Sequence, residues 1–148
     1  MSGRHAGRVA VVTGMTWKRM PGAARAKSRK ATRAIWISSI AARTGTPALS
    51  LYSASEASVR ALARNWILDL KDRQIRVNVV SPGPTATPGL AALAPDVKQL
   101  SERLAAQIPL GRLGRVDEVA RAILFLASDD ASFINGVDLA VDGGMSEV

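Results

Sequence analysis

IWISSIAARTGTPALSLYSASEASVRALARNWILDLKDRQIRVNVVSPG, residues 35–83, is the stretch whose reading decides the fold. Its opening, IWISSIA (35–41), is an apolar, β-prone run. ARTGTPALS (42–50) is a loop, marked by Gly45 and Pro47. A helix is expected from near Ser53, because Val59, Leu62, Ala63, Trp66, Ile67 and Leu70 recur three and four apart. That spacing makes one apolar stripe about 100° wide. QIRVNVVSPG (74–83) is a further strand, stopped by Pro82-Gly83. Strand, helix and strand in succession predict a parallel sheet with helices on its faces.

The same alternation extends both ways. RVAVVTG (8–14) is a short apolar run ended by glycine, the pattern of a buried strand. Downstream, a Pro-, Thr- and Gly-rich loop (82–89) precedes a mixed helical stretch near 95–107. DEVARAILFLAS (117–128) is a helix with acidic residues at its start, as the helix dipole favours. VDLAVDGG (137–144) is the last strand. Only residues 15–34 show cations without an apolar period. We therefore expect one domain over 1–148, with 15–34 an atypical basic insert.

The inventory excludes several chemistries. The chain of 148 residues has no cysteine, and His5 is its only histidine. Disulfides, thiolate or histidine metal centres and a Ser-His triad are excluded; no metal site is expected. No apolar run approaches the roughly 20 residues that span a bilayer, and the N-terminal residues lack the pattern of a secretory signal. A cytoplasmic protein without membrane contact is the expectation. The net charge of +8 is uneven: residues 1–55 hold ten Lys or Arg and no acid. A solvated basic face explains this most simply. Aromatic residues are sparse there, so nucleic acid is an unlikely partner.

Tyr52 and Glu56 stand one turn apart at the head of the 52–70 helix, on one face. A proton-transferring tyrosine gains from a neighbouring cation and loses from an anion. A charge about 7 Å from a phenolate, at an effective dielectric near 20, is worth on the order of 2 kcal/mol. Glu56 also sits in a first helical turn, where the dipole favours a carboxylate.

From about Ala34 to Val148 the chain resembles the C-terminal part of the short-chain dehydrogenases/reductases, which are Rossmann-fold, NAD(P)-dependent oxidoreductases. The likeness is carried by the serine before the loop, the Tyr-led helix, RVNVVSPGPTATP and FINGVDLAVDGG. GRVAVVTG resembles the family's first strand and the glycine after it. The resemblance implies Tyr52 as acid/base and Ser39 as the group holding a small-molecule alcohol or carbonyl. It places Gly14, Pro82, Gly83 and Thr87 at NAD or NADP, and it implies a homo-oligomer.

Three departures accompany it. Glu56 occupies the position of the family's lysine, which assists the tyrosine. TGMTWKRM puts Lys18 and Met20 where T-G-x-x-x-G-x-G has its second and third glycines, whose lack of bulk admits the pyrophosphate. The family's second to fourth strands have no counterpart, so a partial Rossmann-like sheet is expected. Its first strand would face a gap of about one strand spacing, ~4.8 Å, and is expected to slide beside IWISS or stay loosely attached, leaving 15–34 poorly packed. An oxidoreductase with impaired catalysis is the first functional reading. The alternatives are a non-catalytic remnant that associates with itself or an intact relative, and a basic nucleic-acid-binding module.

Overall fold

The computed structural model describes the backbone of residues 8–13 and residues 31–148, with side chains from Thr32 onward. Four parallel strands form one sheet in chain order: β1 (Arg8–Thr13), β2 (Ala31–Ile37), β3 (Arg76–Pro82) and β4 (Asp138–Val141). β1 lies directly beside β2, from Val9 against Arg33 to Thr13 against Ile37. The expected slide is what the chain does. The helices are α1 (Ser50–Asp69), α2 (Pro88–Ala91), α3 (Val97–Ala105) and α4 (Val116–Ala127).

Alternation along the strands divides the core between two faces. Ala34, Trp36, Val77 and Val79 pack with Val59, Ala63, Trp66 and Leu70 of the α1 side. The Trp36 and Trp66 rings meet edge to face, centroids 4.9 Å apart. On the opposite face Ile35 and Val80 join Leu126, Ala127 and Ala131. The apolar stripe read from the 52–70 helix is thus the one it buries.

Several boundaries differ from expectation. β2 runs from Ala31 to Ile37 rather than from 35 to 41. It starts early because Arg33 is buried and pairs with Asp129, a residue 96 positions away. It ends early because Ser39 turns the chain, its Oγ accepting from the Ala41 N–H at the head of a 3-10 turn. α1 begins at Ser50, not near Ser53. Ser55 and Ser58 donate back along the helix, to the Tyr52 and Ser55 carbonyls. α2 starts within the expected 82–89 loop, capped by Thr87. The structure of Gly14, Lys18 and Met20 lies outside the described residues.

Consecutive residues of β3 fasten the last third of the chain. Arg76 donates to the Leu126, Ser128 and Ile134 carbonyls. Burial pushes its pKa down, the adjacent Arg33 adds to this, and Asp129 opposes it. The Val77 N–H donates to Asn135, while buried Asn78 donates to the Ile134 carbonyl and accepts from the Val137 N–H. β4 is further held by Asp138, whose carboxylate accepts from Ser81 at 2.5 Å. Arg43 stands 2.6 Å from the same carboxylate and directs its N–H at the Asp138 carbonyl, 3.2 Å away.

Candidate functional site

A cleft of about 1100 Å³ opens at the C-terminal ends of β2 and β3. Parallel sheets place their sites at this edge, because the loops that follow the strands diverge there. Ser38 and Ser39 follow β2, Pro82 ends β3, and Gly83 and Thr87 follow it; all of them line the cleft, as does Tyr52 from the first turn of α1. Five of the seven expected site residues are therefore together: Ser39, Tyr52, Pro82, Gly83 and Thr87.

Their hydrogen bonding shows which protons remain to donate. The Ser39 oxygen accepts from Ala41 at 3.2 Å, which leaves its proton free to donate. The Tyr52 hydroxyl has no partner among the described residues, and the side chain is half-exposed. Thr87 is held in the same way, its oxygen accepting from the Leu90 N–H at 3.1 Å as the cap of α2. Gly83 has a packing reason of its own. A Cβ there would stand 2.6 Å from the Asp142 Cβ and 2.8 Å from its Cα.

Glu56 does not line the cleft. It sits one turn along α1, and the Ser38 hydroxyl donates to its main-chain carbonyl at 3.1 Å. Its Oε2 is buried without a hydrogen-bond partner among the described residues. Burial pushes the carboxyl above its ordinary value, and the nearby Ser38 hydroxyl opposes the shift. A raised carboxyl favours the folded chain below the unfolded value of 4.5. That advantage is lost as pH rises through the folded value. Glu56→Gln should therefore raise Tm relative to the parent near pH 7, with the gap closing near pH 4. Calorimetry showing the same gap at both pH values would exclude burial of the charge as its cause.

Several lining and supporting residues were not anticipated. Leu100 and Leu104 of α3, with Val119 and Ile123 of α4, form apolar walls. Their four-residue spacing was visible, but nothing local said which surface they would face. Asp142 backs Gly83 and accepts from the Gly144 and Ser146 N–H groups. Burial pushes the Asp142 carboxyl up; hydrogen bonds from Ser146 and Gly144 outweigh it and leave the group below its ordinary range.

The model of the family described as Enoyl-(Acyl carrier protein) reductase matches residues 12–146. The chain belongs to the short-chain dehydrogenase/reductase family. It is 40% identical over 109 residues to a 3-oxoacyl-(acyl-carrier-protein) reductase of Thermotoga maritima, covering 74% of this chain and 43% of that one. It is 47% identical over 112 residues to a cis-4-hydroxycyclohexanecarboxylate dehydrogenase of Sinomonas cyclohexanicum, covering 76% of this chain and 44% of that one. A solved short-chain dehydrogenase/reductase family protein superposes with a TM-score of 0.70 at 40% identity, over 78% of this chain and 46% of that one. A short-chain dehydrogenase family protein from Francisella tularensis gives a TM-score of 0.73 at 25% identity, over 78% of this chain and 51% of that one. The chain thus spans less than half the length of these curated relatives. The architecture is a partial Rossmann-like α/β fold.

Members of this family are generally NAD(P)-dependent. The described lining offers Ser, Thr, Tyr and Gln side chains and no Lys, Arg, Asp or Glu. That set suits a neutral carbonyl or hydroxyl group. The turn that would approach a pyrophosphate, residues 14–20, lies outside the described residues. Among the described residues no helix is long and apolar enough to cross a membrane.

Proposed function

We propose that this chain carries the substrate-holding part of a short-chain dehydrogenase/reductase site and that its turnover is impaired. The observation that carries the reading is the pair of free hydroxyl protons, on Ser39 and Tyr52, in one cleft at the sheet's C-terminal edge. Both can donate to one carbonyl oxygen, which polarises the carbonyl and makes Tyr52 the group positioned to protonate it. In the reverse direction the Tyr52 phenolate accepts the proton of an alcohol.

Impairment follows from Glu56. The family's lysine would assist the phenol with a positive charge, and a carboxyl has none to offer. When ionised, Glu56 opposes a phenolate one turn away. A second reason lies in the sequence, where Lys18 and Met20 stand in place of the second and third glycines of the family's pyrophosphate turn.

Titration of the purified chain with NADH and with NADPH, followed by nicotinamide fluorescence, tests the proposal. We expect no saturable binding and no oxidation of either cofactor in the presence of a ketone. Saturable binding with turnover that disappears in Tyr52→Phe would overturn the impairment.

A second reading has one specific observation in its favour. Leu124 and Phe125 of α4, Leu68 of α1 and Phe133 are exposed apolar side chains, the kind of surface that association covers. Self-association would appear in sedimentation equilibrium as a mass above 15.6 kDa.

A further inference from the structure

A buried carboxylate outside the cleft meets both segments that carry its two hydroxyls. Asp138 begins β4, and Val79, its register partner in β3, packs in the layer under α1. The Asp138 side chain is 3% exposed. Its carboxylate accepts from the Ser81 hydroxyl at 2.5 Å and faces two guanidinium groups, Arg43 at 2.6 Å and Arg60 at 3.4 Å. Neither the carboxylate nor either arginine lines the cleft.

Arg43 and Ser39 cap opposite ends of one 3-10 turn, Ile40–Ala42. The near end is fixed by Ser38, whose N–H donates to the Val80 carbonyl at 2.9 Å and whose hydroxyl donates to the Glu56 carbonyl. A turn held at one end still pivots; Arg43 holds the other. Its planar guanidinium reaches the Asp138 carbonyl at 3.2 Å as well as the carboxylate, which fixes direction as well as distance. Glu147 also approaches Arg43, at 3.8 Å, but it is exposed, and exposed pairs hold little. Arg60 belongs to α1, about two turns beyond Tyr52. Ser39 and Tyr52 are thus tied, each through its own segment, to the same carboxylate.

We infer that Asp138 is a positioning residue, which through Arg43 and Arg60 sets the separation of Ser39 and Tyr52 across the cleft. Moving either segment stretches an ion pair whose acidic member is buried, and loss of a partner there is strongly unfavourable. The consequence for carbonyl binding rests on the proposed substrate-holding role of Ser39 and Tyr52. The tie between their two segments stands on the ion pairs alone.

Cyclohexanone titrated into the full chain, with a carbon-13 label at Cζ of Tyr52, the only tyrosine, supplies the test. Ser39→Ala should weaken its binding by about threefold to tenfold, the worth of one hydrogen bond. Asp138→Asn should weaken it by as much without touching the ketone, and so should Arg43→Met, which acts from the more exposed side of the pair. Arg43→Lys, which keeps the charge, should recover part of the loss. The deciding readout is the double variant. Added to Ser39→Ala, either Asp138→Asn or Arg43→Met should weaken binding by less than about twofold further, because the group it positions is already gone. A merely structural loss would be the same in both backgrounds. Far-UV circular dichroism confirms that each variant folds, and Arg43→Met carries the test if Asp138→Asn does not.

Additive losses in the double variants overturn the inference and leave the carbonyl-holding pair standing. So does parent affinity in Asp138→Asn and Arg43→Met when Ser39→Ala binds weakly. Parent affinity in Ser39→Ala sinks the pair instead, and positioning is then read without ligand. A nitroxide on Ser39→Cys, in a chain otherwise free of cysteine, broadens the Tyr52 Cζ signal according to the separation of the two positions. Broadening that changes in Asp138→Asn and Arg43→Met supports the inference; broadening unchanged in both overturns it.

Discussion

Trp36→Ala should lower the free energy of unfolding by about 3–5 kcal/mol, making it the most damaging of the substitutions considered. Trp36 is 2% exposed and is the largest of the fully buried side chains. Its removal empties the middle of the layer between β2 and α1 and takes away the edge-to-face contact with Trp66. The consequence reaches the cleft, because α1 carries Tyr52 and rests on that layer. Trp36→Phe is the informative control. The indole Nε1 is buried with no acceptor among the described residues, so losing it removes an unsatisfied donor and offsets part of the lost contact. Phe should be destabilising by about 1 kcal/mol or less. Urea titrations followed by far-UV circular dichroism measure both; equal losses for Ala and Phe would show that packing volume is not what Trp36 supplies.

Gly83→Ala should be destabilising by about 2–3 kcal/mol, through overpacking. The added methyl would meet the Asp142 Cβ at 2.6 Å and its Cα at 2.8 Å. Backbone cannot rotate away as a flexible side chain can. Relief requires β3 and β4 to part at their C-terminal ends, where the Gly83 N–H also donates to the Val141 carbonyl at 3.0 Å. Gly45, another glycine of the cleft lining, has nothing within 4 Å of a built Cβ, so Gly45→Ala should change stability by less than about 0.5 kcal/mol. A Gly83→Ala protein with the parent's Tm, altered only in ligand binding, would refute the packing explanation.

These two residues show what a sequence can and cannot disclose. The burial of Val59, Ala63, Trp66 and Leu70 was legible because helical periodicity is a local signal. The strand character of residues 76–80 was legible for the same reason. Gly83 was read as a cofactor glycine, and the close approach of Asp142 is the work of a partner 59 positions away. The early start of β2 was hidden too. Arg33 looks like a surface residue until Asp129 arrives beside it. Ser39 and Tyr52 were found through family resemblance; neither periodicity nor composition marks them. What the fold adds is that both reach one cleft with their protons uncommitted.

The attachment of β4 to β3 also sets a clock. The groups that close this edge are far apart in the chain: Asn78 bonds across 56 and 59 positions, and Ser81 bonds across 57. At a synthesis rate of about 5–20 residues per second, β3 emerges from the ribosome about 3–12 s before its partners. Throughout that interval the nascent chain presents unpaired amide and carbonyl groups along a valine-rich strand. An exposed strand edge recruits other strands. The yield of native protein should accordingly depend on how crowded neighbouring ribosomes are, and on how quickly chaperones reach the chain before Asp138 is made.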